Sequence, residues 1–493
     1  EGKNILPGVW ALRRKREVLT NSVKKYKARW NLDASKQEHG IDFDQTYSPT
    51  ATWPSIRLLL TLTILNGWRT RQIDFVQAFP QAKISHRQFV ELPKGIEIDG
   101  IDPDEWVFEV INNVYGGKDA GRQWYLHLKS KLEEIGFKRS LFDECLFYRG
   151  HVMYSLYTDD SILSAPTDEE LDSAIKDMAD AGLELTVEGV LKDFLGVNIK
   201  KLEDGSYELT QPRLIDSILE EVFGAEDLPS PKAIPMASSK LLSRHHDSPD
   251  YEGRFEMRRI VGKLNFLASS TQPDIAYATH QIARFVSAPK VEHGKAVEWL
   301  ARYLLGTRKQ GYSISPDPSK SIEVHVDADF AGNWDPTIAG EDIDTSRSRH
   351  GFVISYAGVP ILWKSALQTE ISLSTTEAEF IGLSVSLRTA IPITNIVQEM
   401  LDLGFPVNND SRTIHCTVFE DNSGALEIAK VPKVRPRTKH MNNKYFHFME
   451  YTTRERAPYR FEKIATEDQP ADMLTKPLAE ALHEKHRRTI QGW

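Results

Sequence analysis

The chain predicts an α+β first half, a helical middle and an α/β final third, and three observations carry that prediction. The first is Met153 to Ser164, read MYSLYTDDSILS. Apolar and aromatic residues run up to two adjacent carboxylates, Asp159 and Asp160, and resume at Ile162, the pattern of a β-hairpin with acids at its turn. The second is residues 255–306, where apolar stripes recur at helical spacing. The third is the change after SPDPSKS, from Ser315, where strands and helices alternate. At 493 residues the chain is too long for one core, and these changes divide it as 1–225, 226–314 and 315–493.

Composition narrows the function classes. With 40% hydrophobic and 27% charged residues the chain reads as soluble and globular. A net charge of −9 argues against simple electrostatic binding of a polyanion, so nucleic-acid contact must come from local basic clusters or from cations held by acids. Two distant cysteines, Cys145 and Cys416, exclude a disulfide framework or zinc motif and make a reducing compartment the default. No signal peptide is visible, and no apolar run reaches transmembrane length; Ile56 to Leu65 is the best and is interrupted by threonines. The first residue is Glu1, which fits a processed product or an expressed fragment.

Along the chain, Arg13 to Arg16 and then Lys24, Lys25, Lys27 and Arg29 make residues 1–31 basic. KKYKARW alternates and predicts a strand with Lys25, Lys27 and Arg29 on one face, either a solvated edge or a phosphate-binding finger. Pro54 to Trp68 predicts a helix with one apolar face. In RQIDFVQAFP the apolar density predicts a buried strand, where a charged Asp74 is costly unless paired or on a metal. A strand, a Gly turn and a helix from about Ala120 to Ile135 follow, with Trp124, Leu128 and Leu132 as apolar stripe. Strands at 145–148 and 153–157, a helix at 169–181 and a strand pair in LKDFLGVNIKK and SYELTQ complete this part. Residues 227–250 have loop chemistry. Three helices are expected after it: one around Ile260, Leu264 and Leu267, then 275–285 and 291–305. Last come the strand IEVHVDADF, a hairpin through Gly358, a long helix with a capping box from Ser374 to Glu377, and strand, acidic turn and helix in HCTVFEDNSGALEIAK. Trp30, Trp124, Trp299 and Trp334 read as packing.

The acids carry the chemistry. Two like charges at a turn are either solvated or hold a cation. Asp74, Asp159 and Asp160 each stand at a strand end or turn, and three converging carboxylates can hold two divalent ions roughly 3.5–4 Å apart for an in-line phosphoryl transfer. Asp327, Glu379, Asp421 and Asp472 form a second such set. Asp329 competes with Asp327, and the alternative for Asp472 is a helix N-cap alone. Magnesium suits these oxygen-only ligands, two ions to a site, with manganese as the substitute.

The ordered series DFVQAF, VYGGKDAGRQW, YTDD, FLGV, VDADFAG, STTEAEF, EDNSGA, TKHMNNKYFHF and ADMLTKPL resembles the Pol polyprotein of copia-type (Pseudoviridae) LTR retrotransposons, over roughly residues 8–480. That resemblance implies a right-hand polymerase of fingers, palm and thumb followed by an α/β ribonuclease H-like domain. It implies an RNA-directed DNA polymerase that copies element RNA into cDNA, an endonucleolytic ribonuclease H, and a role ahead of DNA integration. Asp74, Asp159 and Asp160 then match the polymerase carboxylates, Phe79 the steric gate, Lys27 and Arg29 the triphosphate contacts, and Asp327, Glu379, Asp421 and Asp472 the nuclease acids. Implied partners are RNA template, DNA primer, RNA–DNA hybrid and dNTPs, without a membrane, with homodimerisation left open. The implied location is cytoplasmic, in a virus-like particle, with nuclear passage alongside cDNA. Gly117, Lys118 and Asp119 stand where the family carries Leu-Lys-Gln, and Asp119 adds a negative charge near the expected triphosphate.

From Ile428 to Met449 there are six basic residues, Lys430, Lys433, Arg435, Arg437, Lys439 and Lys444, and no acid. This is either a solvated loop or a contact to the hybrid's phosphates, with His440 and His447 as structural residues or aids to product release. The rival reading is a domesticated, catalytically weak nucleic-acid-binding or capsid-associated protein that keeps the fold. The changes at Gly117 and Asp119 motivate it, and retention of all seven acids opposes it.

Overall fold

The computed structural model describes residues 4–16, 22–102, 105–224, 228–237, 242–244, 247–407, 413–431, 443–452 and 458–493. Two compact units emerge: residues 1–51 with 69–191, and residues 52–68 with 192–493. Helix α1 (Trp53–Leu65) therefore belongs to the second unit, although strands of the first flank it in sequence.

In the first unit, β1 (Gly8–Arg16) and β2 (Val23–Leu32) form an antiparallel hairpin with Ala11 opposite Arg29 and Arg13 opposite Lys27. Its base is fixed where the Leu32 N–H donates to the Tyr115 carbonyl at 2.7 Å. The next residue, Gly116, has φ +93°, and a Cβ there would lie 2.3 Å from the Leu32 carbonyl oxygen, so only glycine permits this approach. The main sheet is antiparallel and six-stranded. It uses β3 (Arg69–Phe75), β4 (Lys138–Arg139), β5 (Leu146–Arg149), β6 (Val152–Tyr157), β7 (Asp160–Ala165) and β8 (Leu185–Gly189) in the order β8-β3-β7-β6-β5-β4. Helix α2 (Ala120–Glu134) buries Trp124, Leu128 and Leu132, the stripe its periodicity predicts. Helix α3 (Asp168–Asp180) starts with a reciprocal Thr167–Glu170 capping box.

In the second unit α1 departs from the expected one-faced helix: Ile56 to Thr63 are all buried. The polar interruptions are satisfied locally, since the Thr61 and Thr63 hydroxyls donate to carbonyls four residues back. Arg57, fully enclosed, donates to the carbonyls of Ile361, Ser269 and Ser270 at 2.6–2.9 Å and stacks 3.9 Å from the Trp363 ring. Burial lowers its pKa to about 10.

A four-stranded sheet, β9 (Asp193–Phe194), β10 (Val197–Lys201), β11 (Tyr207–Thr210) and β12 (Tyr312–Ile314), precedes and follows the helices α4 (Pro212–Phe223), α5 (Met257–Ser270), α6 (Ala276–Ala283) and α7 (Val291–Thr307). Ile218, Leu264, Ile282 and Leu300 lie at the centre of one apolar core shared by these helices.

The last third builds a mixed sheet from β13 (Ile322–Asp329), β14 (Arg349–Tyr356), β15 (Val359–Leu367), β16 (Cys416–Glu420) and β17 (Tyr459–Lys463), in the order β15-β14-β13-β16-β17. The first three are antiparallel neighbours, while β13, β16 and β17 are parallel. Helix α8 (Thr375–Asp402) packs on β13 and β14, α9 (Ser423–Lys430) follows β16, and α10 (Glu480–Gln491) comes last. Only half of the expected capping box forms in α8. Ser374 Oγ accepts from the Glu377 N–H, but the Glu377 carboxylate turns to the Leu373 N–H at 2.8 Å. The sequence predicted no stretch of transmembrane length, yet α8 is long and apolar enough by composition; 67% of its apolar window is buried inside the fold.

Candidate active sites

Strand register builds the first acid site. Asp74 on β3 lies directly opposite Asp160 on β7. Such partners share a face with Cα atoms about 4.5–5.5 Å apart. Asp159 ends the two-residue turn between β6 and β7, and its carbonyl accepts from the Phe75 N–H at 3.1 Å. All three acids are half-buried. Thr158, the first turn residue, is left-handed at φ 57°. Trp124 holds it there: its indole N–H donates to the Thr158 carbonyl at 2.6 Å while its ring meets Phe75 edge-on at 5.0 Å. The residue read from sequence as packing thus also aims the acid turn.

The sequence reading missed Tyr115, which links the expected nucleotide contacts. The Arg29 guanidinium lies 4.3 Å from the Tyr115 ring centroid, and the Phe79 ring lies 5.1 Å from it. Burial first, then the charges of Asp159 and Asp74, raise the Tyr115 hydroxyl pKa, with Arg29 opposing. Arg29 and Phe79 therefore meet beside the acids through this ring. Lys27, two residues from Arg29 on the same strand face, is exposed. Asp119 does not face that space: it is 2% exposed, and Ser85 Oγ donates to it at 2.6 Å. Lys118 is spent on Gln37, its ammonium donating to the backbone carbonyl at 3.0 Å.

The second acid site is buried. Asp327 on β13, Glu379 one turn into α8 and Asp421 just after β16 bring carboxylate oxygens within 4.8 Å of one another, the one such acidic trio among the described residues. The first site shares neighbouring backbone positions without that tightness. Gly351, opposite Asp327, lets the 470–475 segment lie directly on the sheet, because a Cβ there would sit 2.6 Å from Leu474 Cβ. That approach delivers Asp472, which lies inside a short 3-10 turn rather than at a helix cap. It also delivers Thr475, whose hydroxyl donates to Asp327, and Lys476, 2.9 Å from Asp472 and 3.8 Å from Asp327.

Burial dominates the electrostatics. It raises the pKa of Asp327, with Lys476 and Thr475 opposing. Burial and then Asp327 push Asp472 up to about 7. Burial, then Glu420, Asp327 and Asp421, hold Glu379 well above the carboxylate range. Glu420 was not singled out from sequence. It is fully buried, and burial raises it too. One oxygen each of Glu379 and Glu420 is buried without a hydrogen-bond partner. Oxygen-only donors, tightly grouped and incompletely satisfied, fit a hard divalent cation. Asp421 instead accepts from Thr466 Oγ at 2.7 Å, and Asp329 is half-buried beside the site.

Of the expected hybrid contacts, Lys433, Arg435, Arg437 and Lys439, like His440, lie outside the described residues. Lys430 is exposed at the end of α9, and Lys444 pairs with Glu370. His447 meets the Ser384 carbonyl at 3.0 Å, a structural contact. Trp334 contradicts the packing assignment: it is 52% exposed.

Residues 1–238 match the family profile described as reverse transcriptase (RNA-dependent DNA polymerase). The chain is 29% identical over 488 residues (97% of its length, 35% of the relative's) to the retrovirus-related Pol polyprotein from transposon TNT 1-94 of Nicotiana tabacum. It is 31% identical over 474 residues (95% and 31%) to that from transposon RE2, and 32% over 461 residues (93% and 30%) to that from transposon RE1, both of Arabidopsis thaliana. The chain thus spans about a third of the length of these relatives. A solved ribonuclease H1 isolated from compost overlaps 31% of the chain and 91% of its own, at 18% identity and TM-score 0.22.

Proposed function

Because the chain belongs with the Pol polyproteins of copia-type retrotransposons, we propose that it is their reverse transcriptase–ribonuclease H portion, an RNA-directed DNA polymerase that also degrades the RNA strand of the hybrid it makes. The observation that carries this reading is the presence of two separate carboxylate sites, one on an antiparallel sheet and one on a mixed sheet.

In the polymerase, the β1–β2 hairpin serves as fingers, the six-stranded sheet as palm, and the helices of residues 226–314 as thumb. Asp74, Asp159 and Asp160 would hold magnesium or manganese, two ions to a site. Arg29 and Lys27 meet the incoming triphosphate; Arg offers a bidentate fork and Lys a point charge. Phe79, braced by Tyr115, closes the space a ribose 2′-hydroxyl would need. Residues 315–493 act as the nuclease, with Asp327, Glu379, Asp421 and Asp472 as ligands. Bound divalent ions supply an activated nucleophile and neutralise developing charge at both sites. Lys430 and the neighbouring bases contact hybrid phosphates. Template, primer, hybrid and dNTPs are the partners, in a cytoplasmic particle with later nuclear passage of cDNA, and homodimerisation is left to hydrodynamic measurement. The domesticated, non-catalytic alternative loses one motive, since Asp119 is buried on Ser85.

The test is paired. Asp159→Asn abolishes primer extension on an RNA template and spares hybrid cleavage; Glu379→Gln does the reverse. Loss of both activities in either variant, with the fold intact, refutes the two-site reading.

A further inference from the structure

The buried acids already face one cation, and it belongs to the chain. The Lys476 ammonium lies 2.9 Å from Asp472 and 3.8 Å from Asp327, and Asp329 faces it as well. Asp327 therefore stands in two groups at once. It is one corner of the tight trio with Glu379 and Asp421. It also shares a lysine with Asp472, which lies outside that trio. Neither proposed activity gives Lys476 a part.

The segment that carries this lysine is locked up to the lysine itself. Gln469, fully buried, donates to the Val326 carbonyl at 2.8 Å. Gly351 lets Leu474 and Thr475 lie against the sheet. The Thr475 hydroxyl reaches both the Asp327 carboxylate and, at 3.0 Å, the Asp472 carbonyl. The Lys476 N–H donates to that same carbonyl at 3.1 Å. Ala471 to Thr475 are all buried, whereas the Lys476 side chain is 35% exposed. Its ammonium rides on a flexible four-carbon stem and can leave without moving the backbone.

Asp327 and Asp472 are each 2% exposed, and burying carboxylates without a counter-charge is costly. The lysine reduces that cost in the free protein. The same proximity sets it against a divalent ion. Both cations draw on the charge of Asp327, and each repels the other across it. An ion pair that shared no carboxylate with the trio would stabilise the fold and leave metal affinity alone.

We propose that Lys476 is the resident counter-ion of this site. It neutralises Asp327 and Asp472 before a divalent ion arrives, competes with that ion for them, and is displaced toward solvent when the ion binds. It thereby sets the concentration at which the site loads. This rests on the metal-binding part of the nuclease reading above. Lys476 is a positioning residue, because it acts through Asp327 and Asp472.

The test is calorimetric titration of the full chain, free of nucleic acid, with Mn2+, following the binding that Glu379→Gln removes. Lys476→Met keeps an apolar stem and loses the charge, and Mn2+ binds about tenfold tighter. Lys476→Arg keeps the charge and stays near wild type. Thermal melts add a readout that a merely structural lysine would not move: without metal Lys476→Met melts below wild type, and saturating Mn2+ removes the deficit. Should Lys476→Met fail to fold, the wild-type chain still answers. Amine-reactive labelling read by mass spectrometry rises at Lys476 as Mg2+ is added. Mn2+ affinity that is unchanged or weaker in Lys476→Met overturns the proposal. So does a melting deficit that persists in saturating Mn2+, or labelling of Lys476 that ignores Mg2+. If Lys476→Met tightens Mn2+ binding while wild type cleaves no hybrid, the counter-ion stands and the nuclease reading fails. If wild type cleaves hybrid and Lys476→Met leaves Mn2+ affinity unmoved, the nuclease reading stands and the counter-ion does not.

Discussion

The two acid sites solve the same problem in opposite ways. On the six-stranded sheet, half-buried carboxylates are placed by backbone: strand register sets Asp74 against Asp160, and a turn braced by Trp124 sets Asp159. At the second site, side chains converge from a strand, a helix, a strand end and a 3-10 turn into a space where Asp327, Glu379 and Asp472 are each 2–4% exposed. Desolvation there does what register does at the first site. A buried carboxylate cluster is costly while unneutralised, so cation binding offsets a large penalty; a half-solvated set has less to gain until nucleotide and primer arrive.

The largest expected effect separates the sites by metal affinity. Calorimetric titration of the nucleic-acid-free protein with Mn2+ shows binding that Glu379→Gln removes and Asp159→Asn leaves intact. Equal losses from the two substitutions would break the comparison. Next comes pH. Asp472 at about 7, with Asp327, Glu379 and Glu420 also raised, means that the metal-free fold binds more protons than the unfolded chain from about pH 4 upward. Stability must then fall as pH rises from about 4 to about 7. Thermal melts should show this slope, and it should flatten in Asp472→Asn or with saturating Mg2+. A smaller effect tests the first site's brace: Trp124→Phe keeps an aromatic ring and loses the N–H, so primer extension drops about tenfold, the worth of about 1.4 kcal/mol, with hybrid cleavage unchanged. The smallest concerns Asp119. Asp119→Asn lowers stability by about 1 kcal/mol and leaves the KM for dNTP unmoved, because its carboxylate serves Ser85.

What was legible from sequence follows the same divide. The hairpin of acids, the α2 stripe and the Ser374 start of α8 depend on near neighbours, and their periods or caps could be read directly. Trp124 could be placed on a buried face, but its donation to a carbonyl 34 residues away is tertiary and leaves no local mark. Tyr115 had a faint signal, an aromatic beside two glycines, one of which permits the close approach to the Leu32 backbone. Glu420 had a stronger one. In CTVFE it occupies the inward position shared with Cys416 and Val418, where a charge demands a partner, but the Asp-Asn that follows drew attention away. Trp334 was misjudged because aromatic residues are mostly interior, and only coordinates show which ring remains outside.

The placement of α1 bears on how such a chain can be taken apart. Residues 52–68 leave the first unit, insert a buried, mostly apolar rod and a stacked guanidinium into the second, and return. A truncation after residue 191 would retain that rod while deleting its sockets at Ser269, Ser270, Ile361 and Trp363. The excised first part would carry an orphaned greasy plug and a stranded cation, and would aggregate. Separating the two proposed activities therefore calls for point substitutions in an undivided polypeptide, not scissors.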